Sequence, residues 1–269
     1  MATNKEMIYN DAYGIKDKAV FEHIKSKLRK GFLGRHKEGI SKARALKTTS
    51  LMLDKCDDIE DLGFLRFFPN LETFSLNSEN LSDIDGLGYA PNLKRVFLAS
   101  KWPGTVYVSA IGKCKTLEAL DLQQTSTKIM TLDSSPKPDI QGWDALSGLS
   151  KLTYLGLPYM GIEDIGFVMN MTALQDVDLS GNPISDLSPL RGHPRINELY
   201  LGDCGIADIS VLADIPELGC VCLGLNRIDD FSPLKKLAKL EYVDGENNGL
   251  TQQEIEKWKN EFSHIEADF

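Results

Sequence analysis

Residues 174–195 read LQDVDLSGNPISDLSPLRGHPR, and this stretch decides the fold because its length and pattern recur along the chain. Blocks with the same 22-residue period begin at Leu71, Leu152, Ile196, Leu218 and Leu240. Apolar residues occupy positions one, four, six, eleven, fourteen and seventeen of the block. Positions four and six alternate with polar residues, which is the two-residue period of a strand with one buried face. The repeat therefore predicts one short strand in each turn of a solenoid.

Two polar positions of the block have the chemistry of turns. Position nine carries Asn182, Asn226 and Asn248, with Met160 in the block from Leu152 and Cys204 in the block from Ile196. An Asn side chain can bond backbone groups where the chain bends away from a strand, and a small buried Cys can replace it. Position thirteen carries Asp83, Asp164, Asp186, Asp208 and Asp230. We predict that these acids accept backbone N–H groups on the outer arc, and a functional acidic stripe is the alternative.

This pattern resembles the leucine-rich-repeat family, in the variety found in bacterial internalins and in phosphatase-regulatory subunits. The clearest match is Asn182, Ile184, Asp186, Leu187, Pro189 and Leu190. The resemblance covers about residues 48–250. It implies an α/β solenoid, a right-handed horseshoe whose concave parallel β-sheet has about nine strands. It implies no particular activity, because one fold supports many functions.

The chain divides into a repeat domain and two predicted caps, because an open end of a solenoid would expose its core. Residues 1–47 are predicted to form a basic helical N-terminal cap. The leucine-rich-repeat solenoid is predicted over residues 48–250, with an insertion at about 125–143. Ser, Pro and Asp cluster in the insertion, which predicts a surface loop. Residues 251–269 are predicted to form a C-terminal capping helix.

Local patterns support both caps. Thr251 and Glu254 have the spacing of a capping box at the start of a helix, and Trp258 falls on its apolar face. We therefore expect Trp258 in the core. At the other end, apolar spacing predicts an amphipathic helix that includes Phe21 and Ile24, and a second short helix is expected within 41–46. The Lys and Arg residues of this end, including Lys25, are expected on a solvated outer face.

Charge is distributed unevenly along the chain. The whole chain has a formal net charge of −9. Residues 1–50 nevertheless hold 12 of the 30 Lys and Arg and only 5 of the 39 Asp and Glu, a net charge of +7 that leaves −16 on the remainder. Such asymmetry concerns partners and not the fold. A contact at the basic end for nucleic acid or for an acidic protein surface is the alternative to a solvated cap, although the total charge disfavours a dedicated nucleic-acid binder.

Targeting signals and cysteine usage bear on the compartment. No apolar run reaches the roughly 18 residues of a membrane helix. The start MATNKEMIYNDAYG also lacks the apolar stretch of about 7–15 residues that a secretory signal requires. We therefore expect a cytoplasmic protein. The five cysteines form no regular pairing pattern, so we expect them to be reduced.

Catalytic constellations are absent from the sequence. It contains no phosphate-binding loop, zinc-protease motif or nucleophile elbow. Cys220 and Cys222 offer two soft metal ligands without a third one nearby in sequence. Asp176 and Asp178 are paired carboxylates, but they lie on an open sheet without a pocket. We predict that the protein is not an enzyme and that it holds no metal and no cofactor.

The outward residues of each strand predict a binding face. They fall at positions three, five, seven and eight, and in the C-terminal turns they include no Lys or Arg. Tyr offers a large contact area with a polar tip, and carboxylates attract a basic partner. The predicted partner-binding residues are Tyr154, Tyr159, Asp176, Asp178, Glu198, Tyr200, Asp203, Tyr242, Asp244 and Glu246. The alternative is that the acids only keep the sheet soluble.

These features predict a non-enzymatic scaffold that holds a basic protein on its acidic, Tyr-bearing concave face. One version is an inhibitor or immunity protein that occludes a basic toxin. The alternative, which the internalin resemblance implies, is a secreted or surface module for adhesion or host interaction. A catalytic protein that uses its thiols or its acidic pair is the third hypothesis. By itself the chain is expected to be a monomer, without a membrane or nucleic-acid partner.

Overall fold

The structure is a computed structural model that describes residues 7–8, 21–22, 24–25, 40–57, 59–125 and 137–269. The chain divides into two compact units, Met1–Ala145 and Leu146–Phe269. This division falls inside the repeat domain predicted over 48–250, and the predicted domain boundaries stay predictions. No helix of the described ranges is both long and apolar enough to cross a membrane.

The first unit is built on parallel strands that follow one another in chain order. Its described strands are β1 (Met7–Ile8), β2 (Ile40–Ser41), β3 (Ser50–Leu53), β4 (Thr73–Asn77), β5 (Arg95–Ser100), β6 (Thr105–Tyr107), β7 (Ala119–Gln124) and β8 (Asp139–Gln141). β1 pairs antiparallel with β2, whereas β3, β4, β5 and β7 pair in parallel in that order. The helices are α1 (Lys42–Ala45) and the 3-10 helices Gly63–Phe67, Asp85–Tyr89 and Val108–Lys113.

The insertion contains a strand that the sequence analysis missed. β8 pairs in parallel with β6, so the predicted loop over 125–143 is wrong for its last part. The Ser and Pro residues that suggested a loop precede β8, whereas Ile140 within β8 is buried. Thr105 Oγ1 donates a hydrogen bond to Asp139 Oδ2 across this pair at 2.5 Å. Residues 126–136 of the insertion lie outside the described residues.

The second unit repeats a strand and a 3-10 helix with the predicted period. Its strands are β9 (Tyr154–Gly156), β10 (Asp176–Asp178), β11 (Glu198–Tyr200), β12 (Cys220–Cys222), β13 (Tyr242–Asp244) and β14 (Glu266–Asp268). All neighbours in this order pair in parallel. The helices are the 3-10 helices Gly166–Val168, Ser188–Leu190, Ser210–Asp214 and Ser232–Lys236, and α2 (Gln252–Glu261). A further 3-10 helix, Trp143–Gly148, spans the boundary of the two units.

The core of the second unit consists of columns of equivalent side chains. At position four of the block, Leu155, Val177, Leu199, Val221 and Val243 are all fully buried. The other apolar positions of the block that begins at Leu174 are buried in the same way. Because each fully buried aliphatic side chain contributes about 1.5–3 kcal/mol, these columns are the main source of stability. The predicted apolar pattern is therefore confirmed as the core.

The position-nine asparagines bond backbone groups of neighbouring turns. Asn182 is fully buried, and its Oδ1 accepts the N–H groups of Met160 and Ile162 at 2.9 and 3.0 Å. Its Nδ2 donates to the carbonyl oxygens of Leu157 and Leu179. Asn226, further along the solenoid, makes the equivalent set of bonds. The predicted turn role of these amides is confirmed.

The position-thirteen aspartates stabilise turns on the outer arc. Oδ1 of each accepts the backbone N–H of the residue two positions later, at 2.7–2.9 Å, in the five turns of Asp83, Asp164, Asp186, Asp208 and Asp230. Asp61 does the same for Gly63. The prediction of turn-stabilising acids is confirmed.

Stability is expected to fall in acid because of these turns. The hydrogen bond from the backbone N–H two residues later lowers the pKa of Asp186, Asp208 and Asp230 below its ordinary value. A lowered folded-state pKa gives stability that is present above the unfolded pKa of about 3.9 and lost as pH falls through the folded value. Urea midpoints measured from pH 7 down to pH 2 should therefore decline. The triple variant with Asn at these positions should show a flatter decline, and an equally steep one would contradict the prediction.

Helix α2 and strand β14 close the C-terminal end. Thr251 and Glu254 form the predicted capping box, and Trp258 is 2% exposed, so both expectations are confirmed. The predicted helix over 251–269 is wrong for its last part, because β14 adds a parallel strand there. Phe269, just after β14, packs against Phe231 with ring centroids 4.9 Å apart. The alternation of apolar and polar residues after α2 is the signal that this strand left in the sequence.

The N-terminal end is described only in part. Phe21 and Ile24 are buried, as the amphipathic pattern predicts, and the rest of that predicted helix lies outside the described residues. Lys25 is also buried, and its Nζ lies 2.7 Å from Glu22 Oε1. The expected solvated position is therefore wrong for Lys25, because a paired Lys can be buried on a helix face. The second short helix is present as α1.

Candidate protein-binding face

The side of the second-unit sheet opposite the core presents three rows of side chains, and we call it the acidic face. The strand register places position three of each turn beside position three of the next, and the same holds for position five. Row one contains Tyr154, Asp176, Glu198, Cys220, Tyr242 and Glu266. Row two contains Gly156, Asp178, Tyr200, Cys222, Asp244 and Asp268. Row three follows the strands at position eight and contains Tyr159, Gly181, Asp203, Leu225 and Asn247.

The structure brings together all ten side chains that the sequence analysis predicted as partner-binding. Nine of them belong to the three rows, and Glu246 follows β13 at position seven. Those on strands are half-buried, whereas Asp203 and Glu246 are exposed. Their role in binding stays a prediction, but their placement on one surface is now established.

Like charges lie close together at the centre of the face. Asp176 pairs with Glu198 in the strand register and lies on the same strand face as Asp178. Burial raises the pKa of Asp176, and the charges of Glu198 and Asp178 raise it further. Among the ion pairs of the described residues, none involves a carboxylate of this face. Within the part of the chain that the structure describes, this negative charge therefore has no ion-pair partner.

Two of the predicted acids also have a structural role. Asp178 Oδ1 accepts the backbone N–H of Ser180 at 2.9 Å, and Asp244 Oδ1 accepts that of Glu246 at 3.0 Å. Each of these carboxylates thus stabilises the turn that follows its strand. These turn contacts were not predicted from the sequence. Substitutions at these two positions would mix a loss of stability with any loss of binding.

The tyrosines are held in place by their surroundings. Tyr200 Oη donates a hydrogen bond to Glu198 Oε2 at 2.9 Å, and this bond raises the pKa of Tyr200 above its ordinary value. Tyr159 lies over Gly181, where an added Cβ would stand 2.1 Å from the ring. Gly181 also has a φ of +71°, a conformation that glycine adopts without strain, so the packing and the backbone both favour glycine there. Fixed aromatic rings with polar tips are suited to protein contacts.

The face also contains side chains outside the predicted site, among them Glu266, Asp268, Cys220 and Cys222. Glu266 and Asp268 were missed because β14 was not expected. Cys220 and Cys222 lie half-buried on the face, and all five cysteines are free thiols. Burial raises the pKa of both face thiols, that of Cys222 to about 12, so they stay protonated at neutral pH. No group of His, Cys, Asp and Glu suited to hold a metal ion occurs in the part of the chain that the structure describes.

Comparisons with known proteins identify the fold. No family model and no curated protein matches the sequence. The crystal structure of internalin C2 from Listeria monocytogenes is similar, with 24% identity and a TM-score of 0.72 over 90% of this chain and 98% of that chain. The complex of TLR13 with ssRNA13 has 20% identity and a TM-score of 0.54, covering 78% of this chain and 30% of that one. The plant peptide hormone receptor RGFR1 in complex with RGF2 has 17% identity and a TM-score of 0.51, covering 73% and 36%.

The shared architecture of these structures is the leucine-rich repeat. The chain therefore has a leucine-rich-repeat fold, and the predicted solenoid with a parallel sheet is confirmed. Among the described residues the repeat strands number four in the first unit and five in the second, in agreement with the prediction of about nine, and β14 adds one parallel strand outside the repeat. The finer resemblance to one 22-residue variety stays a prediction.

Proposed function

We propose that the protein is a non-enzymatic scaffold that binds a basic protein on its acidic face. The observation that carries the proposal is the cluster of Asp176, Asp178 and Glu198, which lie together on one face of two neighbouring strands and form no ion pair among the described residues. Burial raises the pKa of Asp176, and the charges of Glu198 and Asp178 raise it further. A cationic partner would relieve this repulsion and be drawn to the face by its field. The half-buried tyrosines would supply contact area beside the charges.

A protein partner suits this face better than a nucleic acid. Phosphate groups would meet carboxylates here, whereas nucleic-acid sites use Lys and Arg to neutralise phosphates. The plant peptide hormone receptor RGFR1, which is similar in fold, was solved in complex with RGF2, and this supports a polypeptide occupant. The similar TLR13 structure is a complex with ssRNA13, but the negative charge of the acidic face opposes an RNA occupant here. Inhibition of a basic toxin by occlusion, in the cytoplasm and by a monomer, is the specific form that we favour.

The charge of the face can be removed without changing its shape. We expect the triple variant Asp176→Asn, Glu198→Gln, Asp203→Asn to bind the partner about ten- to hundredfold more weakly, because each surface charge pair contributes about 0.2–1 kcal/mol. The amide oxygen that replaces the Glu198 carboxylate can still accept the Tyr200 hydrogen bond. The measurement is affinity capture from a cell extract with mass spectrometry, followed by titration of the purified partner at low and high salt.

A matched control removes the same charge from other surfaces. Glu163→Gln, Asp229→Asn and Glu256→Gln change exposed residues outside the three rows and should leave binding intact. Proteins that bind the wild type and this control but not the face variant should be basic. The proposal is wrong if the face variant captures the same proteins as the wild type, or if the proteins it loses are acidic.

A secreted or surface adhesion module is the second candidate. The similarity to internalin C2 favours this candidate, because the similarity extends over 98% of the internalin C2 chain. Fractionation of the source cells with an antibody against the protein separates the candidates. Protein in the cytoplasmic fraction supports the scaffold, whereas protein at the surface or in the medium supports adhesion.

A further inference from the structure

At strand β12 the three rows of the acidic face are all occupied by uncharged side chains. These are Cys220 of row one, Cys222 of row two and Leu225 of row three, and we call this line of side chains along β12 the apolar row. Leu225 is 56% exposed, and the two thiols are half-buried. Because both thiols have a raised pKa, the row carries no charge at neutral pH. It therefore differs from the two strands that flank it.

Leu225 has a backbone conformation that is unfavourable for leucine. Its φ is +60°, in the left-handed region that suits Gly, Asn and Asp. The equivalent residues of the neighbouring turns are Asp203 and Asn247, which adopt this region readily. Tyr159 has a similar φ of +59°, but it gains contact by packing over Gly181. Leu225 has no comparable burial, so its side chain is not explained by the stability of the fold.

Carboxylates flank the apolar row on both sides. Glu198 and Asp203 lie on the β11 side, and Asp244 and Glu246 lie on the β13 side. Neighbouring strands are about 4.8 Å apart, so the two acidic lines stand roughly 10 Å apart with the apolar row between them. In an extended polypeptide, alternate side chains point to the same side, so the two same-side neighbours of a central residue lie about 6.6–7 Å from it. Flexible Lys or Arg side chains at these two positions can reach the acidic lines on either side of the apolar row. The surface thus matches an apolar side chain that is flanked by cationic ones.

We infer that Leu225 is the specificity-determining contact for a basic polypeptide segment that presents one apolar side chain between cationic side chains. This inference rests on the proposed function, since it names the partner chemistry of the same face. The charges attract the segment, and the apolar row selects among basic segments, because only a segment with an apolar side chain in register gains from covering Leu225.

Two synthetic peptides test the inference with the full chain. Both are lysine-rich, and they differ only at one central residue, which is Leu in one and Asn in the other. Isothermal titration at low salt should show the Leu peptide binding the wild type about tenfold more tightly, as expected for burying a half-exposed leucine. In the Leu225→Asn variant this difference in affinity should vanish. The two proteins and the two peptides form a double-mutant cycle, which isolates the contact between Leu225 and the leucine of the peptide. The variant should also have a higher urea midpoint, since Asn suits the left-handed backbone.

Thiol labelling gives a second measurement that needs no variant. Cys56, Cys114 and Cys204 are buried, so a maleimide should label Cys220 and Cys222 first. The Leu peptide should slow this labelling more than the Asn peptide does. Equal binding of both peptides to the wild type overturns the inference and leaves the proposed function standing. If neither peptide binds, the proposed function fails and the inference fails with it.

Discussion

Gly86→Ala is expected to destabilise the first unit by about 3 kcal/mol or more, the upper end of what overpacking costs. Gly86 is buried within the 3-10 helix Asp85–Tyr89. A Cβ at this position would lie 2.0 Å from the carbonyl oxygen of Leu62 and 2.2 Å from its carbonyl carbon. Both atoms belong to the backbone of the preceding turn, so no change of side-chain rotamer can relieve the clash. Urea denaturation followed by circular dichroism measures the loss.

Gly88→Ala is the matched control for this prediction. It lies in the same 3-10 helix, but its added Cβ would first meet Lys113 Cδ at 3.2 Å. That atom belongs to a long, flexible side chain that can move away. We expect a small change in the urea midpoint, well below that of Gly86→Ala. If both substitutions lower the stability equally, the loss comes from replacing any glycine of this helix. It would then not come from the close backbone contact between turns at Gly86.

The repeating part of the fold was predictable because it depends on side chains at fixed spacing. Each turn makes the same demands, so the core columns, the position-nine amides and the position-thirteen acids all leave a 22-residue signal. Asn182 and Asp186 illustrate this signal, because each bonds a backbone group at a sequence separation that is the same in the equivalent turns. Any contact that repeats with the solenoid is visible in one sequence.

Contacts that occur once were not predictable in the same way. Strands β8 and β14 are each three residues long and stand outside the repeat. β14 depends on Gly245, where an added Cβ would lie 2.7 Å from the ring of Phe269. Gly245 occupies the position that holds Leu in the earlier turns, and the Phe269 ring fills the space. A glycine at a core position was the available signal, but its partner could not be named without the structure.

The residues that make up the candidate site were predictable from the sequence, but their hydrogen bonds and backbone conformations were not. The alternation of strand residues was enough to place Tyr154, Asp176 and Glu198 on one face. It did not show that Asp178 and Asp244 also bond backbone groups, because that depends on the turn that follows each strand. It also did not show that Leu225 adopts a positive φ. Backbone conformation is what separates Leu225 from an ordinary surface leucine.

Asn226→Ala is expected to destabilise the second unit by about 3 kcal/mol or more, because each buried polar group left unpaired costs about 1–3 kcal/mol. Asn226 Oδ1 accepts the backbone N–H groups of Cys204 and Ile206, both at 3.0 Å. Its Nδ2 donates to the carbonyl oxygens of Leu201 and Leu223 at 2.8 and 2.9 Å. Alanine would leave the two N–H groups buried without this acceptor. Urea denaturation at neutral pH measures the effect.

The turn before supplies its own control, since Cys204 stands at the same position of the repeat. Its Sγ lies 3.4 Å from the carbonyl oxygens of Leu179 and Gly202, and a thiol is only a weak donor. Cys204→Ala therefore removes a buried side chain from the same column while leaving little hydrogen bonding to lose. We expect it to cost clearly less than Asn226→Ala. If the two variants lose the same stability, the column is held by packing volume, and the amide network is not what stabilises the turns.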